Sequence, residues 1–360
     1  MPLNIDTFSN VKGGFPFFKA AGHPAVAPLA RKLLARLKAA KSIAIYDPSG
    51  FATALAELFP LAQLPIERVL AHDLADLDKL VLGSTTQPIT NLATSKASHL
   101  LVVAFDADRV VRNINHLVPK GMEVVTLDEL RLPADRLTNP HKYLDPLNFA
   151  TNFAFFRDTP DGRGGRLHTR IATANYWHRY GGANINLWLS LIDGDGETIA
   201  EWDLPLPNSP GGVTIDSSEV RQRFGLGDFT GQLFVHAVGA TGHDIVKYAL
   251  DTYGDDPRDL SCTHDANAWP ADVFAGLPSP RPDERVLLWI QNSHPCSVPS
   301  GAIGLNLMGS TETGWLEREI PPFGTYALDI ADLLSDARWP QQIEVQAGKH
   351  FVRPRYEIEI

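Results

Sequence analysis

Up to about residue 145 the apolar positions fall into two patterns, short unbroken runs and runs with helical spacing. Pro24–Lys41 (PAVAPLARKLLARLKAAK) sets leucines and alanines at helical spacing with lysines and arginines between them, which predicts an amphipathic helix. Ser42–Tyr46 is a short apolar run that meets a Pro-Ser-Gly turn, and a helix opens at about Phe51. A second strand, IERVLAHD, ends at Asp73. A third, HLLVVAFDAD, starts at His99 and leads into the helix of RVVRNINHLVPKG, and MEVVTLDEL supplies a fourth. Near-continuous apolar strands between helices predict a parallel sheet covered on both faces, with ligand-capable loops along its carboxyl edge.

After Asp145 the period shortens. Runs such as RLHTRIATANYW, INLWLSLIDGDGETIAEWDLPLP and GQLFVHAVG alternate apolar and polar positions, separated by Gly- and Pro-rich turns. Such runs predict antiparallel hairpins stacked as sandwiches. The order of segments also repeats. TRIATANYW, ANINLWLSL, ETIAEWDLPLPN, GGVTID, GQLFVHAVG and HDIVKYAL are followed by RVLLWIQNSHP, GAIGLNLMG, ETGWLEREIPP, GTYALD, QQIEVQAG and HFVRPRYEI. This register pairs Asn175 with Asn292, Asp216 with Asp329, Gly239 with Gly348 and His243 with His350. The expected fold is α/β plus all-β: residues 1–145 form a helical lead-in and a Rossmann-like α/β domain. Residues 146–260 form a first β-sandwich, 261–282 a linker and 283–360 a second, related sandwich.

The formal net charge of −10, with no basic run, excludes a nucleic-acid footprint as an expectation. No apolar run is long enough to span a bilayer, and the first residues lack the pattern of a secretory leader. A cytoplasmic protein with reduced thiols is therefore expected.

Only two cysteines are present, and each lies two residues from a histidine: Cys262-Thr-His264 and His294-Pro-Cys296. In extended backbone such residues share a face, and the four together would suit a tetrahedral zinc ion. The alternative is two polar loops. The neighbouring Asp265 and His264 could form an acid–base couple, with Asn267 and Trp269 contacting a sugar or amide. A turn that ends at Trp269-Pro270, its indole in the seam between sandwiches, is the competing reading. HTRIATANYWHRYGG gathers His168, Arg170, Asn175, Tyr176, Trp177, His178, Arg179 and Tyr180 on a strand and its loop, an aromatic–basic recognition surface in the making. GHDIVKYALDTYGDD adds His243, Asp244, Lys247 and Tyr248, with His350, Arg353, Arg355 and Tyr356 as counterparts in the second repeat.

IAIYDPSGFATALAELF, IERVLAHD, VLGSTTQPIT and ASHLLVVAFDADRVVRNI together resemble the Rossmann-like domain of sugar C-methyltransferases and the N-terminal domain of some sugar-nucleotide acetyltransferases. Gly50, Asp73, Gly83, Pro88 and Phe105 occupy the matching places, over roughly residues 41–130, about a quarter of the chain. The turn Asp47-Pro48-Ser49-Gly50 is poorer in glycine than in those families, and G-x-G-x-x-G is absent. The resemblance implies a fold and a crevice for a nucleotide or sugar-nucleotide type ligand. Ser49 and Gly50 would offer helix-start amides, Asp73 would reach ribose hydroxyls, and Asp106 and Asp108 would border the same crevice. Each aspartate also suits an ordinary cap.

Two classes of function follow. One is a non-catalytic ligand-binding or assembly protein whose Rossmann-like part takes a nucleotide or sugar-nucleotide while the sandwiches hold protein or glycan partners. The other is an enzyme of surface-sugar or small-molecule metabolism, with its site between the α/β crevice and sandwich loops and zinc as a possible aid. The first is preferred, because catalytic constellations are missing from the sequence while strand modules are plentiful.

Overall fold

Ile43, Ala44, Ile45 and Tyr46 are buried in succession, as a strand covered on both faces requires. They belong to a computed structural model that describes residues 16–265, 273–347 and 352–359. The chain divides into two compact units between Asn148 and Phe149. The division falls past the expected position at Asp145 because the Asn148 side chain donates to the carbonyls of Asn139, Lys142 and Tyr143, each at 2.9 Å.

The first unit holds helix α1 (Pro16–Ala21), helix α2 (Ala27–Lys38), strand β1 (Ile43–Asp47), helix α3 (Ala52–Leu58) and strand β2 (Ile66–Ala71). It continues with β3 (Leu80–Val81), β4 (Ser84–Pro88), β5 (His99–Val102), α4 (Asp108–Ile114) and β6 (Glu123–Thr126). The strand order is β3-β4-β2-β1-β5-β6, and every pair is parallel except the β3–β4 hairpin. Among the parallel strands this is a Rossmann order, with the chain reversing direction across the sheet between β1 and β5. Leu33 and Leu37 of α2, Leu55 of α3 and Leu101 of β5 meet on one face. Ala44, Tyr46, Leu100 and Val102 pack with Leu92 and Ile114 on the other. The fifth parallel strand, β4, has no apolar signature because STTQP lies towards the sheet edge, where little of it needs burial.

The second unit begins with eight strands: β7 (Ala150–Pro160), β8 (Arg166–Ala174), β9 (Asn186–Ile192), β10 (Thr198–Pro205), β11 (Gly212–Asp216), β12 (Phe229–Val238), β13 (Tyr248–Gly254) and β14 (Leu260–Asp265), with helix α5 (Ser217–Phe224) before β12. One layer runs β10-β9-β12-β7. β8 pairs with β7 only through residues 166–168, turns the corner, and continues a second layer of β11, β8, β13 and β14. Phe156, Leu189 and Val235 of the first layer meet Ile171, Ile215 and Leu250 of the second in one core.

β15 (Val273–Pro278), β16 (Arg285–Asn292), β17 (Gly304–Leu307), β18 (Gly314–Trp315), β19 (Thr325–Asp329), β20 (Gln342–Gln346) and β21 (Val352–Glu359) form the second sandwich. Its sheets run β15-β20-β17-β18 and β19-β16-β21. Strand for strand, these are the orders of the first sandwich, β7-β12-β9-β10 and β11-β8-β13, with β14 as the addition. Asp216 caps α5 by accepting from the Ser218 amide, and Asp329 caps the turn after β19 by accepting from Ala331, each at 3.0 Å. Gly348 and His350, the expected partners of Gly239 and His243, lie outside the described residues.

The expected linker is largely strand. Ser261–Asp265 pairs with Thr252–Tyr248 as an edge of the first sandwich, and Val273–Pro278 pairs with β20 as an edge of the second. Their alternating, half-exposed sequences read as loop because an edge strand buries little. Asn267, Trp269 and Pro270 lie outside the described residues, as does the Asp265 side chain.

Buried and half-buried polar bonds join the sandwiches. Arg157 makes two bonds to the Glu357 carboxylate, at 2.9 and 2.8 Å, and Trp289 donates its indole N–H to the same group. Gln232, fully buried, donates to the carbonyls of Asn292 and Phe323 at 2.8 Å each.

Candidate functional site

The crevice predicted at the carboxyl edge of the parallel sheet is filled from within its own unit. Asp47, at the end of β1, is buried and accepts the amides of Phe51 and Ala52 at 2.8 Å each, with the amides of Ser49 and Gly50 also turned to it. Burial pushes this carboxyl up, against the opposing pull of the four amides. After β5 the arrangement repeats: the Asp128 carboxylate accepts from the amides of Asp106 and Ala107 at 2.7 and 2.9 Å. A phosphate arriving at either helix start meets a carboxylate already in place.

Aromatic rings close the same edge. Phe17 of α1 stacks on Phe51 at 4.2 Å between ring centres and lies 6.0 Å from Phe105, which packs on Tyr143 at 4.5 Å. Asp73 caps the 3-10 turn after β2 by accepting from the Ala75 amide at 2.9 Å. Asp106 bonds Arg131 and accepts the Tyr143 amide at 2.9 Å, and Asp108 is the exposed first residue of α4. The aspartates chosen as ligand contacts thus carry structural bonds or lie outside the filled space, and Ser49 and Gly50 have their amides committed.

The four residues chosen for zinc are not brought together. Among the described residues, no three His, Cys, Asp or Glu side chains are placed to hold a metal ion. Cys262 and His264 lie on edge strand β14, whereas His294 and Cys296 follow β16 in the other sandwich. Neither thiol is in a disulfide. The Asp251 carboxylate bonded to Cys262 holds that thiol up, and burial does the same to Cys296. Both effects oppose the thiolate that zinc requires. The mirrored spacing falls on an edge strand in one case and on a bend after a strand in the other, and it cannot bring the two together.

The two aromatic–basic segments do come together, at one end of the first sandwich. Asn175 starts the turn after β8: it accepts from the His178 amide at 3.2 Å and donates to the Pro207 carbonyl at 2.8 Å. Trp177 is fully buried, with its indole N–H on the His243 carbonyl at 2.9 Å, so it anchors this end rather than presenting a surface. Tyr176 packs at a tilt on Trp177, ring centres 4.2 Å apart, and its hydroxyl accepts from the Lys247 amide at 2.9 Å. Burial pushes this phenol well up, so it stays protonated. Tyr180, 56 % exposed, lies over the backbone of Gly242. A β-carbon on Gly242 would sit 2.5 Å from that ring, and its φ of +73° also favours glycine. The Tyr180 hydroxyl and His243 Nε2 are 3.1 Å apart, their rings edge to face at 4.9 Å. His178 and Arg179 are exposed beside them, and Lys247 Nζ lies 6.0 Å from the Tyr176 ring centre.

His168 and Arg170, though near in sequence, belong elsewhere. His168 Nδ1 is 3.2 Å from the buried Asp158 carboxylate, and Arg170 bonds Asp251 at 3.0 Å. Gly242 was missed by sequence reasoning, although a Thr-Gly-His run after a buried strand is a usable turn signal.

No family model matches the chain, and the curated protein sequences contain no match to it. No helix among the described residues is long and apolar enough to cross a membrane.

Proposed function

We propose that this chain is a non-catalytic recognition or assembly protein that meets a protein or glycan partner through the Tyr180–His243 surface of its first sandwich. One observation carries the reading: Gly242 forgoes a side chain so that the Tyr180 ring can lie on the backbone with more than half of its surface in water. A tyrosine held this way has already lost its rotamer freedom, so contact with a partner costs little further entropy. The bond to His243 fixes the ring further, and the exposed His178 and Arg179 immediately precede it in the chain.

The Rossmann-like unit adds less to this reading. A nucleotide or sugar-nucleotide at Ser49, Gly50, Asp73 and Asp106 would displace the Asp47 carboxylate and the Phe17 ring. The matching strand orders and the paired Asn175 and Asn292 support descent of the two sandwiches from one duplicated module.

A glycan array probed with the full chain and with Tyr180→Ala and His243→Ala tests the site. Signals that fall in both variants support it; equal binding by all three proteins places recognition elsewhere.

A further inference from the structure

The outer face of the second sandwich carries another aromatic ring laid upon a glycine. Trp315 of edge strand β18 sits directly opposite Gly304 of β17, and directly paired residues share a face. Leu305, the next residue on β17, and Leu316, which follows the end of β18, belong to the sandwich core, so Gly304 and Trp315 point away from it. A β-carbon on Gly304 would sit 2.7 Å from the indole, so the ring covers the place a side chain would take. Trp315 is nevertheless 47 % exposed. One side of the indole therefore rests on the strand and much of the remainder meets water.

Polar groups continue the same face across the sheet. Gln346 of β20 pairs with Gly304, and Glu344 pairs with Asn306. Gln346 donates to the Asn306 side-chain oxygen at 2.8 Å, and Asn306 donates to Glu344 at 2.7 Å. Asn306 is 1 % exposed and also donates to the carbonyls of Leu307 and Ser310, which locks the row. Asn306 spends itself on this locking, leaving the half-exposed Gln346 and Glu344 with acceptor oxygens, and Gln346 with a second N–H. Ala275 of β15, opposite Glu344, is small and exposed, so nothing rises at the far end of the row. Four strands at about 4.8 Å spacing make a platform roughly 14 Å wide.

We propose that this face binds the pyranose rings of a neutral oligosaccharide. The C–H face of a pyranose matches the apolar indole, and its ring hydroxyls match an amide and a carboxylate held in one plane beside it. A cationic or anionic polymer has no ladder of opposite charge to follow here, because Glu344 is the one charged side chain in the Ala275–Glu344–Asn306 and Val273–Gln346–Gly304–Trp315 rows. The platform is independent of the Tyr180 surface, which lies on the other sandwich.

Affinity electrophoresis of the full chain through native gels tests this. The gels contain hydroxyethylcellulose, xyloglucan or galactomannan, with a high-mannose glycoprotein coupled to the matrix as a further arm and a sugar-free gel as reference. Retardation is expected in at least one sugar gel. It is lost in Trp315→Ala, retained at least in part by Trp315→Phe, weakened in Gln346→Ala and unaffected in Tyr180→Ala. Unchanged thermal melting of the variants shows that loss is not unfolding, and the arm that retards tells polysaccharide from protein-borne glycan. No retardation in any gel, or equal retardation of wild type and Trp315→Ala, overturns the proposal. Retardation that Tyr180→Ala abolishes and Trp315→Ala spares overturns it too, while upholding the first surface.

Discussion

Asn175 and Asn292 do the same work in the two sandwiches. Each is buried at the end of the second strand and bonds its backbone N–H to a glycine carbonyl, Gly211 at 3.1 Å or Gly324 at 2.9 Å. Each also donates its side-chain amide to a proline carbonyl after the fourth strand, Pro207 at 2.8 Å or Pro321 at 2.9 Å. Asn175→Ala and Asn292→Ala each remove these side-chain bonds and are expected to cost about 1–2 kcal/mol. Denaturant melts of both variants check this.

Two guanidiniums lie near one carboxylate where the sandwiches meet, and one of them bonds it. Arg157 and Arg355 both lie over the Phe155 ring, at 5.6 and 5.1 Å, and Glu357 is bonded by Arg157. Burial and the neighbouring Arg157 hold the Arg355 guanidinium down from its ordinary value. Removing the carboxylate leaves two like charges in a dry site, so Glu357→Gln is expected to cost about 3–5 kcal/mol. Arg157→Met combined with Glu357→Leu should recover most of that loss, which a double-mutant cycle reads directly.

Phe17→Ala removes the ring that closes the carboxyl edge of the parallel sheet and is expected to cost about 3–5 kcal/mol in urea melts. Any rise in Tm caused by a nucleotide or nucleotide sugar should be larger in the milder variant Phe17→Leu than in wild type. An equal rise would contradict the plug.

Tyr143 is fully buried, and that burial pushes its phenol up from 10.0 to about 12. Its hydroxyl accepts from the Leu132 amide at 3.1 Å. Since the folded value lies above the unfolded one, the stabilisation is complete below pH 10 and disappears as pH rises towards 12. Tyr143→Phe should lower stability by about 1 kcal/mol at neutral pH and flatten the decline over that alkaline window. Absorbance titration of tyrosinate in both proteins checks it.

The strands of the first unit were legible because burial on both faces imposes continuous apolar runs, as in Ile43–Tyr46. β4 and β14 were not, since STTQP lies one strand in from the sheet edge with little of it buried, and LSCTHD is an edge strand facing water, so neither carries that constraint. Segment order set up the expectation of a repeat, and the strand orders of the two sandwiches correspond to each other. Sites fared unevenly. The segments around Tyr176 and His243 stood out by composition and proved adjacent. Trp177 had the right type and the wrong exposure, because a strand-end turn can bury alternate residues. The zinc quartet failed because spacing along the chain says nothing about which strands are neighbours.

Recognition through Tyr180 is tested most directly by placing a photo-crosslinking amino acid there, with Leu260, 65 % exposed on the same sandwich, as the comparison site. After irradiation in cells, mass spectrometry should find a discrete protein or glycan adduct at position 180 that disappears in the His243→Ala background, and none at 260. Adducts of the same identity and yield at both positions, or none at 180, would contradict the account.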